Sequence, residues 1–391
     1  MTGFSLTDAC GNCGGAGGSL ELLNVVDPQA SPAMTSDARR LDGRRFAHYL
    51  CGRCACIGIA YDPAAALEQH YRHAYDLSDS VQNNLVVRDG KAVWKKSALH
   101  APLVEALEKL PARGVRVLEV ACGIGQLIQT IAETHPSWEC IGVDPSDALP
   151  SRWPPSAGAA GLVRAFFRES ELPAPPYDVI IAHGFLNRSA PLEELARMRR
   201  LCGNGGLLSL EVMILEDSPH APRIWDHSYM YLQPVLEAYL SQSGFRILQQ
   251  HNNGTTIHMQ CEACEPSGRA LPIAKDLLVA GRERFRAYEA YWKGIETEYR
   301  QVAPARGVDT YLYGAGMFSG ILIGMAGTSG FSAVIDDIKV GTTFHGLPVV
   351  ALSQARSGSR AVICARPHYT AMLSQRAAEH GLNPIPLTGQ P

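Results

Sequence analysis

No apolar run in this chain of 391 residues reaches the length of about 18 that a membrane-spanning helix needs. The opening MTGFSLTDAC lacks the basic stretch followed by an apolar one that marks a secreted chain. Neither sign of charge dominates. Thirty-five Lys and Arg against 38 Asp and Glu leave a formal net charge of −3. No field over the whole surface therefore favours nucleic acid or an anionic membrane. These absences predict a cytoplasmic enzyme with a small-molecule substrate and no membrane partner.

A disulfide scaffold is also excluded. The 11 cysteines are odd in number, and such scaffolds belong to short exported chains. Reduced thiols that bind metal fit better. Two knuckles, CGNC and CGRC, place Cys10, Cys13, Cys51 and Cys54 with 37 residues between the pairs. Each knuckle sets two thiolates on one tight turn, and two knuckles complete a closed tetrahedron around zinc. Cys56 stands close enough to compete with Cys54. Cys261 and Cys264 form a lone third knuckle, read as two thiols without a metal.

Hydrophobic residues make up 46% and charged residues 19%, as in a soluble globular protein long enough for two or three domains. Residues 1–62 are rich in Gly and Pro and read as a zinc-binding unit. Residues 63–265 read as a domain of alternating strands and helices. Its strands are VRVLEVA, ECIGVD, GLVRAFF, DVIIAH, GGLLSLEV and FRILQQH, the pattern of a parallel sheet with helices on its faces. Helical stretches precede them in AAALEQHYRHAYDL and SALHAPLVEALEKL. Residues 266–303 read as a helical connector and 304–391 as a smaller Rossmann-like unit, with LNPIPLTGQP as a tail.

The segment VLEVACGIGQL carries the strongest chemical signal. An apolar strand runs through Glu119 and Ala121 into Gly123 and Gly125, and Gln126 opens a helix. Glycine is needed because a side chain would block approach of the backbone to a ligand. The helix N-terminus offers N–H groups to a carboxylate. About 20 residues on, the next strand ends in Asp144 and Pro145, where an acid accepts ribose hydroxyls. Phe167 or Glu169, after the third strand, is expected at a base edge or face of the ligand, and His183 and Gly184 end the fourth strand, where substrate and cofactor meet at the sheet's carboxyl edge.

The pattern ExxxGxG…VDPS resembles class I methyltransferases, which implies an α/β Rossmann-like domain that binds S-adenosylmethionine. The third glycine of nicotinamide enzymes is absent. Two cysteine pairs, this core, and a C-terminal unit carrying YGAGMFSG…AVIDDI together resemble the three-domain, zinc-containing sugar C-methyltransferases of antibiotic biosynthesis. That resemblance covers nearly the whole chain and implies a nucleotide-linked keto-sugar as acceptor. WDHSYMYLQPVLEAYLSQSGF takes the place of the family's acid–His pair, with His227 falling 17 residues before Gly244. The match implies that His227 is the base and Asp226 its neighbour. The family's Asn and Glu-His after the fourth strand are replaced by GFLNRS, its tyrosine before the acid by Ile224, and its later aromatic by Met230. The acceptor therefore stays open.

Methylating carbon requires an enolate, hence a base near neutral pKa and a donor for the oxyanion. His227, Asp226, Tyr229 and Tyr231 are the residue types required. The C-terminal Gly314, Gly316, Gly320 and Asp336 look like a second nucleotide site and are read as a degenerate copy that walls the substrate cleft. Three alternatives remain. RNA methylation would use RRLDGRR (39–45) to grip phosphates, against the overall charge. An N- or O-methyltransferase has the same cofactor motif. A non-catalytic protein would bind the cofactor only for regulation.

Overall fold

The computed structural model describes residues 9–15, 19–26, 33–36, 40–41, 45–62, 65–75, 77, 85–88, 91–94, 103–149, 160–173, 175–254, 256–267, 274–302 and 309–389. Residues 39 and 42–44 of the basic cluster lie outside them. The chain divides into two compact units that do not follow chain order. One comprises Met1–Leu23, Ala47–Ser218 and His227–Gly281, the other Asn24–Phe46, Pro219–Asp226 and Arg282–Pro391.

The first unit is built on seven strands: β1 (Arg116–Val120), β2 (Glu139–Val143), β3 (Ala160–Val163), β4 (Tyr177–His183), β5 (Cys202–Val212), β6 (Phe245–Asn252) and β7 (Ile257–Ala263). Their order is β3-β2-β1-β4-β5-β7-β6. The first five run parallel, and β7 is antiparallel to both neighbours. Central parallel strands are covered on both faces, which is why VRVLEV and DVIIA read as continuous apolar runs. Helix α1 (Gln126–Thr134) places Ile128, Ile131 and Ala132 at helical spacing against Val117, Val179 and Ile181. Ile128 is fully buried there, so Ile128→Ala should cost about 2–5 kcal/mol. Residues 103–107, also helical, add Leu103 and Leu107 to this core.

Strand β7 is absent from the six strands expected from sequence. Ile257, Met259, Cys261 and Ala263 alternate with His258, Gln260 and Glu262, and those polar residues are weak strand formers. The sheet supplies what propensity lacks: Gln260 Nε2 donates to Ser209 Oγ at 2.9 Å on β5. A second, smaller sheet orders Leu20–Val26, Arg45–Cys51, Ile57–Asp62 and Tyr229–Met230.

The second unit holds a six-stranded sheet in the order Thr343–Phe344, Leu347–Val350, Ala333–Ile335, Thr310–Tyr313, Arg360–Ile363, Asn383–Pro386. The helix Lys275–Val302 sends Trp292, Ile295 and Tyr299 into its core beside Phe318 and Leu322. The segment read as a tail instead contributes the edge strand Asn383–Pro386, parallel to Arg360–Ile363. Its prolines obscure it in sequence. Alternate residues point their N–H inward: Asn383 N donates to Ser359 O and Leu387 N to Ile363 O. Pro384 and Pro386 fall on the outward positions, where a missing N–H costs nothing.

Candidate active site and metal centre

The strand order reverses between β1 and β4, and ligands of such sheets bind at the carboxyl edge beside that switch point. There β1 leads into Ala121, Gly123 and Gly125, whose φ angles of 56°, 55° and 74° are left-handed. Glycine meets that requirement without strain. Gly125 caps α1, and Gln126 begins it. Glu119 Oε2 accepts the Ile128 N–H at 3.0 Å, so this acid ties strand to helix. Burial pushes the Glu119 carboxyl up to about 8, with the nearby Asp144 charge adding to the shift and the Ile128 amide opposing it.

Asp144 follows β2 directly. Its Oδ2 accepts from Gly123 N and its Oδ1 from Ser146 N, both at 3.0 Å. Burial raises its pKa against those two amides and the Arg188 charge. Each oxygen keeps a lone pair. An acid so held beside a left-handed turn suits the ribose hydroxyls of S-adenosylmethionine.

Phe167 is buried, edge-on to Phe185 at 6.0 Å and under the Arg197 guanidinium at 4.9 Å. Glu169 is exposed and pairs with Arg72 at 3.3 Å. Pro145 continues from Asp144 at the end of β2. His183 ends β4 with Nε2 3.0 Å from Ser209 Oγ, and Gly184 N donates to Glu211 O.

The structure brings Cys10, Cys13, Cys51 and Cys54 together, with all four sulfurs within 4.8 Å of one another. Cys10 and Cys54 sulfurs lie 3.8 Å apart, Cys13 and Cys51 3.7 Å. A tetrahedron with metal–sulfur bonds of about 2.3 Å has edges of about 3.8 Å. This group can hold a metal ion. Cys56 is not in it: its buried thiol turns to the carbonyls of Ile57 and Met230. Among the described residues no third ligand joins Cys261 and Cys264. Asn12 Nδ2 donates to Cys54 Sγ at 3.6 Å and Tyr239 to Cys54 O at 2.7 Å, fixing the second knuckle from outside.

The segment 226–231 is split in its attachments. Asp226 is fully buried and accepts from Ser36 N at 2.6 Å and from Ser36 Oγ. Tyr229 lies against the first knuckle: a methyl group on Gly11 would meet its hydroxyl oxygen at 2.5 Å. Tyr231 is buried edge-on to Tyr239 at 6.0 Å, and its hydroxyl has no hydrogen-bond partner among the described residues. His227 is 6% exposed.

Sequence reasoning missed Asn187, which holds this segment in place. Its Nδ2 donates to Met213 O at 2.9 Å and Tyr229 O at 3.0 Å, while its Oδ1 accepts Met213 N at 2.9 Å. Tyr229 N donates to Asn187 O at 3.0 Å. Asn187 thus ties the loops after β4 and β5 together at the carboxyl edge. The signal was present in GFLNRS, where an asparagine stands three residues past a left-handed glycine. Arg188 beside it donates to Tyr75 Oη at 3.1 Å, with its guanidinium 5.1 Å and 5.6 Å from the Tyr75 and Tyr71 rings.

Residues 118–208 match the family described as a methyltransferase domain, the stretch that holds both Glu119 and Asp144. The protein is an S-adenosylmethionine-dependent methyltransferase. Solved chains resembling this methyltransferase include S-adenosylmethionine dependent methyltransferases from Listeria monocytogenes (13% identity, TM-score 0.37) and Mesorhizobium loti (17%, 0.34). They span 44% and 43% of this chain and 100% and 99% of their own. The magnesium protoporphyrin IX methyltransferase of Synechocystis PCC 6803 is similar over 43% of this chain and 79% of its own (14%, 0.34). No curated protein matches the sequence. No described helix of the methyltransferase is long and apolar enough to cross a membrane.

Proposed function

We propose that this methyltransferase methylates a carbon atom of a small natural-product intermediate, a nucleotide-linked keto-sugar first among them, with His227 as general base and a structural zinc at Cys10, Cys13, Cys51 and Cys54. The observation that supports His227 as the base is the Asn187 clamp, while the acceptor reading rests on the resemblance in sequence. The clamp holds the 227–231 segment against the loop after β4, on the edge where Asp144 and the glycine turn would hold the cofactor. S-adenosylmethionine supplies an electrophilic methyl group. His227 takes the proton beside the acceptor carbonyl, and Asn187 holds the backbone two residues further on, at Tyr229. The Tyr229 hydroxyl lies beside Gly11 of the first metal knuckle. Asp226 is itself held by Ser36.

The test is a mass-spectrometric screen of nucleotide-linked keto-sugars with S-adenosylmethionine. A methylated sugar that His227→Ala no longer forms, at unchanged cofactor affinity, supports the reading. Methylation of RNA or of an amine or hydroxyl acceptor alone, with every keto-sugar left unmodified, overturns it.

A further inference from the structure

Four titratable side chains stand in one row across the carboxyl edge of the sheet. His183 on β4 is in register with Glu211 on β5, Glu211 with His258 on β7, and His258 with His251 on β6. Residues in lateral register share a face of the sheet. On that face, farther from the edge, the same strands and their neighbour carry Val117, Val179, Ile181 and Leu207 in an apolar core. Toward the edge that face becomes polar, with Glu119, Ser209 and Gln260 one pleat behind the row.

The row is buried at its centre and open at its end. Glu211 is 4% and His258 2% exposed, while His251 is exposed. The His183 and His258 rings meet edge to face, 5.2 Å between centroids. Glu211 Oε1 accepts Thr256 Oγ1 at 3.1 Å. Ser209 Oγ, one pleat back, receives Gln260 Nε2 at 2.9 Å and lies 3.0 Å from His183 Nε2. Gln260 is 4% exposed, yet its Oε1 has no hydrogen-bond partner among the described residues. A buried polar group costs free energy unless it is hydrogen-bonded. The titratable groups around His183 are Glu211, His258 and His251 along the row and Glu119 one pleat back on β1.

The geometry points to His183 as a second catalytic residue, an imidazole N–H that donates to the acceptor's oxygen, with Glu211 and His258 as positioning residues that orient its ring. This rests on the enolate reading of the reaction. Loss of the proton to His227 leaves its electron pair shared between carbon and oxygen, and the oxygen takes most of the charge. The new bond forms from that carbon to the methyl group, the broken carbon–sulfur pair stays on sulfur, and the carbonyl is restored. His183 keeps its proton throughout. A donor of this kind is required; of the two tyrosines expected near it, Tyr229 has its hydroxyl beside Gly11 and Tyr231 is buried against Tyr239.

Two measurements on the full-length protein decide it. With histidine selectively 15N-labelled, His183 should titrate within roughly pH 5–8. Its curve should move in His258→Gln and again in Glu211→Gln, with S-adenosylhomocysteine affinity unchanged. A His183 curve identical in wild type and both variants overturns the row. In D2O with a nucleotide-linked keto-sugar as probe, His183→Gln should slow exchange of the acidic proton by about 10²–10³-fold. Exchange at the wild-type rate in His183→Gln overturns the assignment. Absence of exchange in the wild-type protein overturns the keto-sugar reading instead, and the titration still decides the coupling.

Discussion

The Asp144 carboxylate closes on the glycine turn, its Oδ2 taking the Gly123 N–H at 3.0 Å. The second unit repeats the relationship: Asp336 Oδ2 accepts Ala315 N at 2.9 Å, and its Oδ1 accepts Ile338 N at 3.0 Å, as Asp144 Oδ1 accepts Ser146 N. An acid ending the second strand of a parallel sheet can brace the turn after the first. The two copies differ in what else is there. Lys339 Nζ donates to Ala315 O at 2.8 Å, filling the mouth of the second turn with a side chain of its own.

Titration of the full chain with S-adenosylmethionine should therefore give one equivalent bound. Asp336→Ala should leave that binding unchanged. A second equivalent of cofactor or nucleotide, lost in Asp336→Ala, would show that Lys339 yields to a ligand.

Asp144→Ala should weaken S-adenosylmethionine by about 2 kcal/mol, roughly 30-fold, the scale of hydrogen bonds to a charged group. Part of that loss comes from releasing Gly123. Calorimetry with equal affinity for both proteins would remove Asp144 from the site.

Freshly prepared, reduced protein should contain about one zinc per chain. Cys51→Ser should lose it. Chelation should expose the Tyr229 and Tyr239 rings to solvent, since both pack on the knuckles. Elemental analysis showing no metal in reduced wild-type protein would refute the centre.

Glu119 gives a pH signature. Its carboxyl is raised from 4.5 to about 8 when folded, so the folded chain holds the proton more tightly than the unfolded one. Its contribution to stability is then fully present below about pH 4.5 and is lost as pH rises to about 8. Asp144, raised by the same burial, acts in the same sense. Glu119→Gln can still accept the Ile128 N–H and has no charge to bury. Thermal unfolding should show the variant gaining on wild type as pH increases through that window. A constant difference between the two would contradict the assigned shift.

His227→Ala should lower kcat by about 10²–10⁴-fold, the usual contribution of a positioned base, with cofactor affinity nearly unchanged. Near-full turnover at neutral pH would place the base elsewhere.

Local sequence was sufficient wherever the chemistry is local. The glycine turn, the acid after β2 and each cysteine knuckle are short segments whose backbone conformation their own residues dictate, so Gly123, Asp144 and the four cysteines could be read directly. Period and length were likewise enough for most strands of the seven-stranded and six-stranded sheets, but for none of the four-stranded sheet. Tertiary structure alone decided three things. It made a strand of Ile257–Ala263, because lateral partners such as Ser209 satisfy polar residues that by propensity avoid strands. It made an edge strand of Asn383–Pro386, because the ladder needs N–H groups only from alternate residues. It also distributed the side chains of 226–231 among different partners, with Asp226 on Ser36, Tyr229 on the Gly11 knuckle and the backbone on Asn187. Side chains of such a segment take directions that their distant partners determine, so closeness in sequence does not make one constellation.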